Sequence, residues 1–235
     1  MTEYSIHPLQ TAKTIRPTHF FTYLRNFGSD VEIFYGAFLI RGEGLNILVD
    51  TGCDASSYSA GPMPPIEDTD SIENNISRFG LRIRDIDAVI LTHMHFDHCG
   101  GLPDFPWAKV HVHRREFEAF TGKMQRWTDM AYIQRHIAHV TDWVLYDDGE
   151  EKWFDFQATR LPFLPEMWLV SLHGHSRGHC GVAVRLENGW YFNAADAGAV
   201  YNNETPAWLI KLVLGPHDAR LRQFISLHPE VVLSN

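Results

Sequence analysis

Short apolar runs rich in β-branched residues alternate with glycine-containing turns along the first half of the chain. Residues 32–41 and 44–50 flank a Gly-Glu-Gly sequence at 42–44, and this spacing predicts a β-hairpin. Residues 86–92 form an apolar run that is typical of a buried strand, and residues 109–113 predict a further strand. In the second half, residues 167–196 predict successive strands.

Helical patterns occupy the segments between and after these strands. Residues 70–80 place apolar side chains at positions 72, 76 and 79 and end on a glycine, which fits an amphipathic helix. Residues 114–140 are predicted to be largely helical, and residues 217–228 to be a final helix. This order of elements predicts an α/β protein, although periodicity does not select its topology. Because the chain contains no linker, repeat or low-complexity segment, we expect one domain over residues 1–235.

Composition and charge narrow the class of partner. The 235 residues are 45% apolar and carry a net charge of −9. Phosphate binding needs clustered Lys and Arg, so we expect no nucleic-acid partner. We also expect no membrane partner, because no run reaches the roughly 18 to 20 apolar residues of a membrane span, and residues 1–7 lack a signal-peptide pattern. These features favour a soluble, cytoplasmic protein in which Cys53, Cys99 and Cys180 are reduced thiols.

Residues 93–98, His-Met-His-Phe-Asp-His, carry the densest candidate chemistry in the chain. Because side chains alternate along an extended segment, His93 and His95 lie on one side and could reach the same cation. Asp97 and His98 lie one turn further and could reach a second one. Imidazoles and carboxylates are the ligands that zinc and similar cations accept. The segment therefore predicts a metal site at the carboxyl end of a strand, where sites collect in α/β sheets.

Four ordered motifs resemble the metallo-β-lactamase-fold hydrolases. Residues 92–101 look like the signature of that family, and residues 45–53 match its first motif, a strand that ends in an aspartate. Residues 172–179 are similar to the third motif, and residues 191–198 to the fourth. The resemblance spans nearly the whole chain. It implies an αββα four-layer sandwich, with two mixed sheets face to face, helices outside and the metals at one edge.

The same resemblance implies two divalent metal ions. We expect zinc, although iron and manganese suit the same ligands. Six side chains would hold the metals: His93, His95, Asp97, His98, His175 and Asp196. Asp97 and His98 would serve the second metal, Asp196 would bridge the two, and the other histidines would hold the first. Asp50 would orient a metal ligand or a water without binding the metal itself. Asp97 and Asp50 are the two carboxylates that we expect to assist catalysis. A hydroxide between the metals would attack the substrate carbonyl.

One ligand of the family pattern falls outside the given chain. The family supplies a last histidine just after its final strand, and here the predicted strand at 231–234 is followed only by Asn235. We expect that histidine just beyond Asn235, in a chain that continues past this residue. His228 precedes the strand, and we interpret it as a residue at the end of a surface helix.

The expected substrate class rests on the sequence of residues 95–101, which is most similar to the corresponding motif of lactonases that open N-acyl homoserine lactones. This favours a small-molecule acyl lactone or a related ester. Those enzymes commonly place a tyrosine three residues after the bridging aspartate, where this chain has Ala199. A thioester hydrolase similar to glyoxalase II stays open as an alternative. So does a non-hydrolytic iron protein of the same fold, such as a sulfur dioxygenase.

Aromatic and methionine side chains flank the central motif and would suit either an acyl-binding pocket or ordinary core. They are Phe20, Phe21, Tyr23, Phe27 and Tyr35 before the motif, and Phe120, Met124, Trp127, Met130 and Tyr132 after it. Residues 206–214 form an apolar stretch that would suit a homodimer surface, a pocket wall or a buried helix.

A rival motif overlaps the third one. Residues 174–178, Gly-His-Ser-Arg-Gly, fit the nucleophile elbow of serine hydrolases, with Ser176 as the nucleophile. That elbow needs a helix directly behind the serine, whereas residues 180–186 alternate like a strand. We therefore favour the metal interpretation. His111 and His113 are interpreted as structural, as are His173 and His179, one of which is expected to hydrogen-bond within the site.

Overall fold

Two β-sheets face each other in the computed structural model, which describes residues 4–19, 27–58, 65–197 and 216–234. The first sheet has the strand order β4-β1-β2-β3-β5-β6-β7. Its strands are β1 (Ser5–Pro17), β2 (Asp30–Gly42), β3 (Leu45–Val49), β4 (Glu67–Asp68), β5 (Ala88–Ile90), β6 (Val110–His113) and β7 (Trp143–Tyr146). Strands β3, β5, β6 and β7 run parallel to one another, whereas β1, β2 and β3 pair antiparallel. The sheet is therefore mixed.

The second sheet has the order β13-β12-β11-β10-β9-β8. Its strands are β8 (Glu151–Trp153), β9 (Phe156–Arg160), β10 (Met167–Ser171), β11 (Cys180–Leu186), β12 (Gly189–Asn193) and β13 (Val231–Ser234). Neighbouring strands of this sheet pair antiparallel, except that β13 runs parallel to β12. In the described part of the chain the α-helices are α1 (Ile72–Ser77), α2 (Phe96–Cys99), α3 (Arg114–Thr121) and α4 (Asp218–Leu227).

Apolar side chains fill three layers. Between the sheets, Ile47 and Ile90 of the first sheet share a buried cluster with Leu169 of the second. The outer face of the first sheet packs against α1 and α3, and the outer face of the second packs against Phe224 of α4. The expected αββα arrangement is therefore confirmed.

Strands β3 and β5 are buried on both faces, which explains their continuous apolar runs. Ile47 and Ile90 point into the cluster between the sheets, while the alternate residues Leu48 and Val89 point to the outer cluster. The predicted hairpin joins β2 to β3. Its turn residues Glu43 and Gly44 have φ values of 53° and 80°, the pair of left-handed conformations that a two-residue hairpin turn requires.

The segment after α3 differs from its prediction. The helix ends at Thr121, and the chain continues through short 3₁₀ turns at Trp127–Ala131 and Gln134–His136, so the prediction of a largely helical 114–140 is wrong beyond Thr121. The buried carboxylate of Asp129 accepts the backbone N–H groups of Gln125 and Arg126 at 2.7 and 3.0 Å. These bonds hold a tight turn in place of a continued helix.

Two further expectations concern cysteines and membranes. Cys53, Cys99 and Cys180 are buried and form no disulfide, as expected for reduced thiols. No helix in the described segments is long and apolar enough to cross a membrane. The apolar stretch at 206–214 lies outside the described residues.

Candidate metal centre

Strand ends deliver the predicted ligands to one edge of the sandwich. Asp50 follows β3, and His93 comes three residues after the end of β5. In the second sheet, His175 lies in the loop that follows β10, and Asp196 follows β12. Because these ends meet at the same edge, side chains that are far apart in sequence converge in space.

Three buried histidines form the first group. The ligand atoms of His93, His95 and His175 all lie within 4.8 Å of one another. Nδ1 of His95 is 2.9 Å from Nε2 of His175. The three imidazoles therefore point at one common position, a geometry that suits a bound cation.

The protonation of His93 fits a metal at that position. Its Nδ1 lies 3.2 Å from the Thr92 hydroxyl, and that hydroxyl donates its proton to Asp50 at 2.8 Å. Nδ1 of His93 must therefore be the donor in its own contact, which leaves a lone pair on Nε2. Within the described residues this buried Nε2 has no hydrogen-bond partner. A buried lone pair without a partner is costly unless a cation occupies the site.

Asp196 connects the first group to a second one. The ligand atoms of His93, His98 and Asp196 also lie within 4.8 Å of one another. Oδ1 of Asp196 is 3.4 Å from Nε2 of His98, and its Oδ2 is 3.4 Å from Nε2 of His175. The two oxygens of one carboxylate thus face the two groups, as a bridging ligand would.

Asp50 lies behind His98 and is almost fully buried. Its Oδ1 accepts the backbone N–H of Thr92 at 2.8 Å, and its Oδ2 lies 2.8 Å from Nδ1 of His98. An imidazole that donates Nδ1–H to a carboxylate presents the lone pair of Nε2 to a metal. Asp50 has a φ of 58°, a left-handed conformation that Asp and Asn tolerate better than other side chains.

Electrostatics divide the histidines into two kinds. Burial lowers the pKa of His93 and His95 well below the usual value, so both rings are neutral at neutral pH and can act as ligands. Burial also opposes a charge on His98, but Asp196 and Asp50 outweigh it and raise the pKa of His98. The position between these two carboxylates therefore attracts positive charge.

The two remaining carboxylates of this edge behave differently. Burial opposes ionisation of Asp196, but the nearby charges of His98 and His175 hold its pKa well below the usual range. Asp97 lies on α2 and is not a member of either group within 4.8 Å. Burial raises the pKa of Asp97, against the opposing effect of His98. The assignment of Asp97 as a ligand stays a prediction.

Two further buried residues lie near the ligands. His179 is buried, and its Nε2 accepts the backbone N–H of Asp196 at 3.1 Å, which is the hydrogen bond expected from His173 or His179. Glu116 is fully buried behind the site. Its neighbours Arg114, Arg115 and Glu118 are charged, a pattern typical of a solvent-exposed helix face. The sequence therefore gave no reason to select Glu116 as a residue of the site.

The flanking apolar side chains are divided between core and surface. Phe120 is buried in the outer core, whereas the ring of Tyr132 lies 5.1 Å from that of His95. Side chains with more than half of their area exposed are Phe27, Met124, Trp127 and Met130. Tyr35, like Phe96 of α2, packs against a buried cluster of Ala12, Cys53 and Ile66. Burial and the charges of Asp97 and Asp196 raise the pKa of its phenol. Phe20, Phe21 and Tyr23 lie outside the described residues.

Ser176 lacks the surroundings of a nucleophile. Its buried hydroxyl donates to Oε2 of Glu116 at 2.6 Å. The chain behind it enters strand β11 instead of a helix, so the structural context of the nucleophile elbow is missing.

A third cluster joins His113, Asp148 and His173. Oδ1 of Asp148 lies 2.8 Å from Nε2 of His173, and Oδ2 pairs with the Arg115 guanidinium at 2.7 Å. The backbone N–H of Arg115 donates to Nδ1 of His113 at 3.2 Å. Burial lowers the pKa of His113 to about 4, so its neutral ring carries the proton on Nε2 and cannot offer that atom to a cation. We interpret this cluster as a hydrogen-bonded network around Asp148.

Comparison with known proteins adds sequence relatives and structural neighbours. The family model of the metallo-beta-lactamase superfamily matches residues 36–206. A probable metallo-hydrolase of Mycobacterium bovis is 30% identical over 136 residues, which cover 57% of this chain and 44% of that protein. The chain thus spans less than half the length of that relative. The N-acyl homoserine lactonase AttM of Rhizobium radiobacter is 24% identical over 201 residues, 80% of this chain and 73% of that protein.

Solved structures agree on the fold. A mutant of AiiA from B. thuringiensis, with N-decanoyl-L-homoserine bound at its active site, superposes with a TM-score of 0.75 at 19% identity, covering 100% of this chain and 94% of the other. At that identity the likeness shows the fold and not the substrate. Because the family model covers most of the sequence and the two-sheet architecture agrees, the chain belongs to the metallo-beta-lactamase superfamily.

Proposed function

We propose that this protein is a hydrolase that uses two divalent metal ions to open acyl lactones or related esters, with N-acyl homoserine lactones as the favoured substrates. The observation that carries the proposal is the placement of Asp196 between the two histidine groups, with one oxygen 3.4 Å from His98 and the other 3.4 Å from His175. A carboxylate in this position is suited to bridge two cations. Zinc is the metal that we propose.

The proposed ligands divide between the two cations. The first would be held by His93, His95 and His175, and the second by Asp97 and His98, with Asp196 shared. When bound, such a pair of cations supplies an activated water and an electrophile for the substrate carbonyl. Ser234 of β13 pairs with Asn193 of β12, three residues before Asp196. This register brings the carboxyl end of β13 to the edge of the sandwich that holds the proposed centre.

Residues around the ligands would fix their orientation. Asp50 accepts Nδ1–H of His98 and thereby directs Nε2 toward the proposed metal. His179 accepts the backbone N–H of Asp196 and limits the movement of the bridging carboxylate. Tyr132 packs against His95 and forms part of the wall of the site. These contacts favour a site that is preorganised before metal and substrate arrive.

Two kinds of support favour an acyl-bearing lactone. AttM and the B. thuringiensis enzymes that match this chain at 26% identity are named N-acyl homoserine lactonases. Independently, Met124, Trp127 and Met130 expose more than half of their side chains. Arg126 links this segment to the site, because its guanidinium lies 3.4 Å from the carbonyl of Gly174, next to His175. An exposed apolar surface beside a metal centre is suited to an acyl chain.

The experiment that tests the proposal is a proton-release assay on zinc-loaded protein with butanoyl, hexanoyl, octanoyl and decanoyl homoserine lactones. Simple lactones and glutathione thioesters serve as competing substrate classes. We expect lactone hydrolysis that depends on acyl length and disappears in His95→Ala. It should persist in His111→Gln, which removes a buried histidine outside the site. Thioester hydrolysis without lactone hydrolysis would refute the substrate assignment, and inactivity on both would refute the reaction class.

A further inference from the structure

Glu116 lies at the third position of α3 and its side chain is completely buried. Its Oε1 accepts the backbone N–H of Met94 at 3.0 Å and the hydroxyl of Tyr132 at 2.9 Å. Its Oε2 accepts the hydroxyl of Ser176 at 2.6 Å and the backbone N–H of Gly178 at 2.9 Å. One carboxylate therefore joins three separate segments of the chain through four hydrogen bonds.

The bonded groups directly flank the proposed ligands. Met94 lies between His93 and His95, and Ser176 follows His175 in the chain. Glu116 thus holds the backbone of both segments that supply the first histidine group, without contacting the imidazoles itself. The distance between the two segments decides whether the three lone pairs converge on one point.

Packing at Gly178 gives an independent sign of the same link. A Cβ atom at this position would lie 2.2 Å from the backbone nitrogen of Glu116 and 2.7 Å from its Cα. The His175 segment therefore lies directly on the first turn of α3, closer than any other residue type would permit.

The chemistry explains why a charged residue occupies this buried place. A carboxylate has enough lone pairs to accept four hydrogen bonds, whereas an amide of the same shape has one acceptor oxygen and one donor group. Two of the four donors are backbone N–H groups on opposite oxygens, and these cannot reverse their direction. Burying a charge is costly, and the four donors offset that cost.

We propose that Glu116 is the positioning residue that sets the spacing of the three-histidine group before metal binds. It acts through the backbones at Met94 and Gly178 and through the Ser176 and Tyr132 side chains. The inference rests on the proposed metal centre, but it does not depend on the identity of the substrate.

Glu116→Gln tests this role, because the amide must turn its NH₂ group toward either the Met94 or the Gly178 N–H and so release one segment. Metal affinity is measured by competition with a chromophoric chelator, and ligand geometry by the visible absorption spectrum of the cobalt-loaded protein. We expect the affinity of the three-histidine site to fall about 10- to 100-fold, in the range found when groups that orient metal ligands are lost. The cobalt spectrum should change as well, and kcat should fall more than KM changes.

Ile76→Ala is the matched control for stability, since Ile76 is buried in α1 on the outer face of the first sheet. It should lower the melting temperature but leave metal affinity and the cobalt spectrum unchanged. If Ile76→Ala weakens metal binding as much as Glu116→Gln does, the effect comes from lost stability and the inference is overturned. Wild-type affinity and spectrum in Glu116→Gln would overturn it directly.

Ser176→Ala keeps the inference testable if Glu116→Gln fails to fold. It removes one of the four bonds and leaves both backbone contacts in place, so we expect a several-fold loss of affinity at the three-histidine site. Unchanged affinity in this variant would count against the inference. A wild-type protein that binds no metal would overturn the proposed centre itself, whereas two bound metals with unaltered variants would overturn only the role of Glu116.

Discussion

Replacing Asp50 by asparagine is expected to weaken metal binding on the His98 side of the centre while leaving the fold intact. The substitution keeps the size of the side chain, and Asn tolerates the left-handed backbone at this position, where φ is 58°. The amide can offer only one acceptor, however. Its NH₂ group must face either the backbone N–H of Thr92 or, on the other side, both Nδ1 of His98 and the Thr92 hydroxyl. Each of these three donors lies 2.8 Å from a carboxylate oxygen in the wild type.

The magnitude follows from the tautomer of His98. The Thr92 N–H is fixed, whereas an imidazole can move its proton, so the NH₂ group is expected to turn toward Nδ1 of His98. The proton then moves to Nε2, the atom that lies 3.4 Å from Asp196, and the lone pair needed by a metal is lost. Loss of such an orienting partner typically weakens metal binding about 10- to 100-fold, or about 1.4 to 2.7 kcal/mol.

The assay is a zinc titration of metal-free protein against a chromophoric chelator, fitted to two sites. We expect the His98 site to weaken by that factor. The three-histidine site should weaken less, because the amide disturbs it only through the Thr92 hydroxyl that accepts Nδ1–H of His93. Asp87→Asn is the control, because Asp87 accepts the backbone N–H of Asn46 at 2.8 Å and precedes β5 at the edge opposite the ligands. Wild-type affinity at both sites in Asp50→Asn would refute the reasoning, as would equal weakening of both.

Three further predictions concern pH, nucleophile and metal removal. Burial lowers the pKa of His111 to about 4 in the folded protein. Between about pH 6.5 and 4 the His111 ring therefore stays neutral in the folded state, whereas in the unfolded chain, where its pKa is near 6.5, it gains a proton. This difference costs stability as pH falls from about 6.5 toward about 4, and His111→Gln should reduce the pH slope of metal-free unfolding by about 1.4 kcal/mol per pH unit; an unchanged slope in urea titrations would contradict it. Ser176→Ala should reduce lactone hydrolysis less than about ten-fold, because a role beside Glu116 is indirect, whereas a loss of about 10⁴-fold or more would indicate a serine nucleophile. At 100 times its own Kd, each zinc site should raise the free energy of unfolding of the metal-free protein by about 2.7 kcal/mol. A melting temperature that does not change with zinc would contradict a metal centre.

Local patterns were sufficient where a single element determines its own structure. The glycine-containing turn at 42–44 predicted the hairpin, and the apolar run before His93 predicted a buried strand. The topology needed more, because strands buried on both faces have no alternation that shows which layer they face. The αββα arrangement came from the four motifs and their resemblance to a known family.

The sequence patterns did not predict elements whose structure depends on contacts with residues distant in the chain. Strand β1 was not predicted, since Ser5–Pro17 carries prolines and polar residues, and it is a strand because it pairs with β2 along nearly its whole length. The segment after Thr121 was predicted helical, but the carboxylate of Asp129 captures backbone N–H groups that a helix would have used. In both cases tertiary contacts override local preference.

The candidate site likewise contains residues that local motifs identify and one residue that only tertiary contacts identify. The proposed ligands lie in short motifs whose spacing pointed to metal chemistry. Glu116 could not be found in this way, because its partners Met94 and Ser176 are 22 and 60 residues away in the chain. Its neighbours on α3 are charged, and only the packing of α3 against both ligand segments separates it from a solvated glutamate.

The most direct test of a two-metal hydrolase is the rate of N-hexanoyl homoserine lactone opening during stepwise zinc addition to metal-free protein. We expect no hydrolysis without metal, a rise that continues to two bound equivalents per chain, and a plateau beyond them. His95→Ala should stay inactive throughout the titration. Hydrolysis that is independent of added zinc, or its absence when two equivalents are bound, would contradict the account.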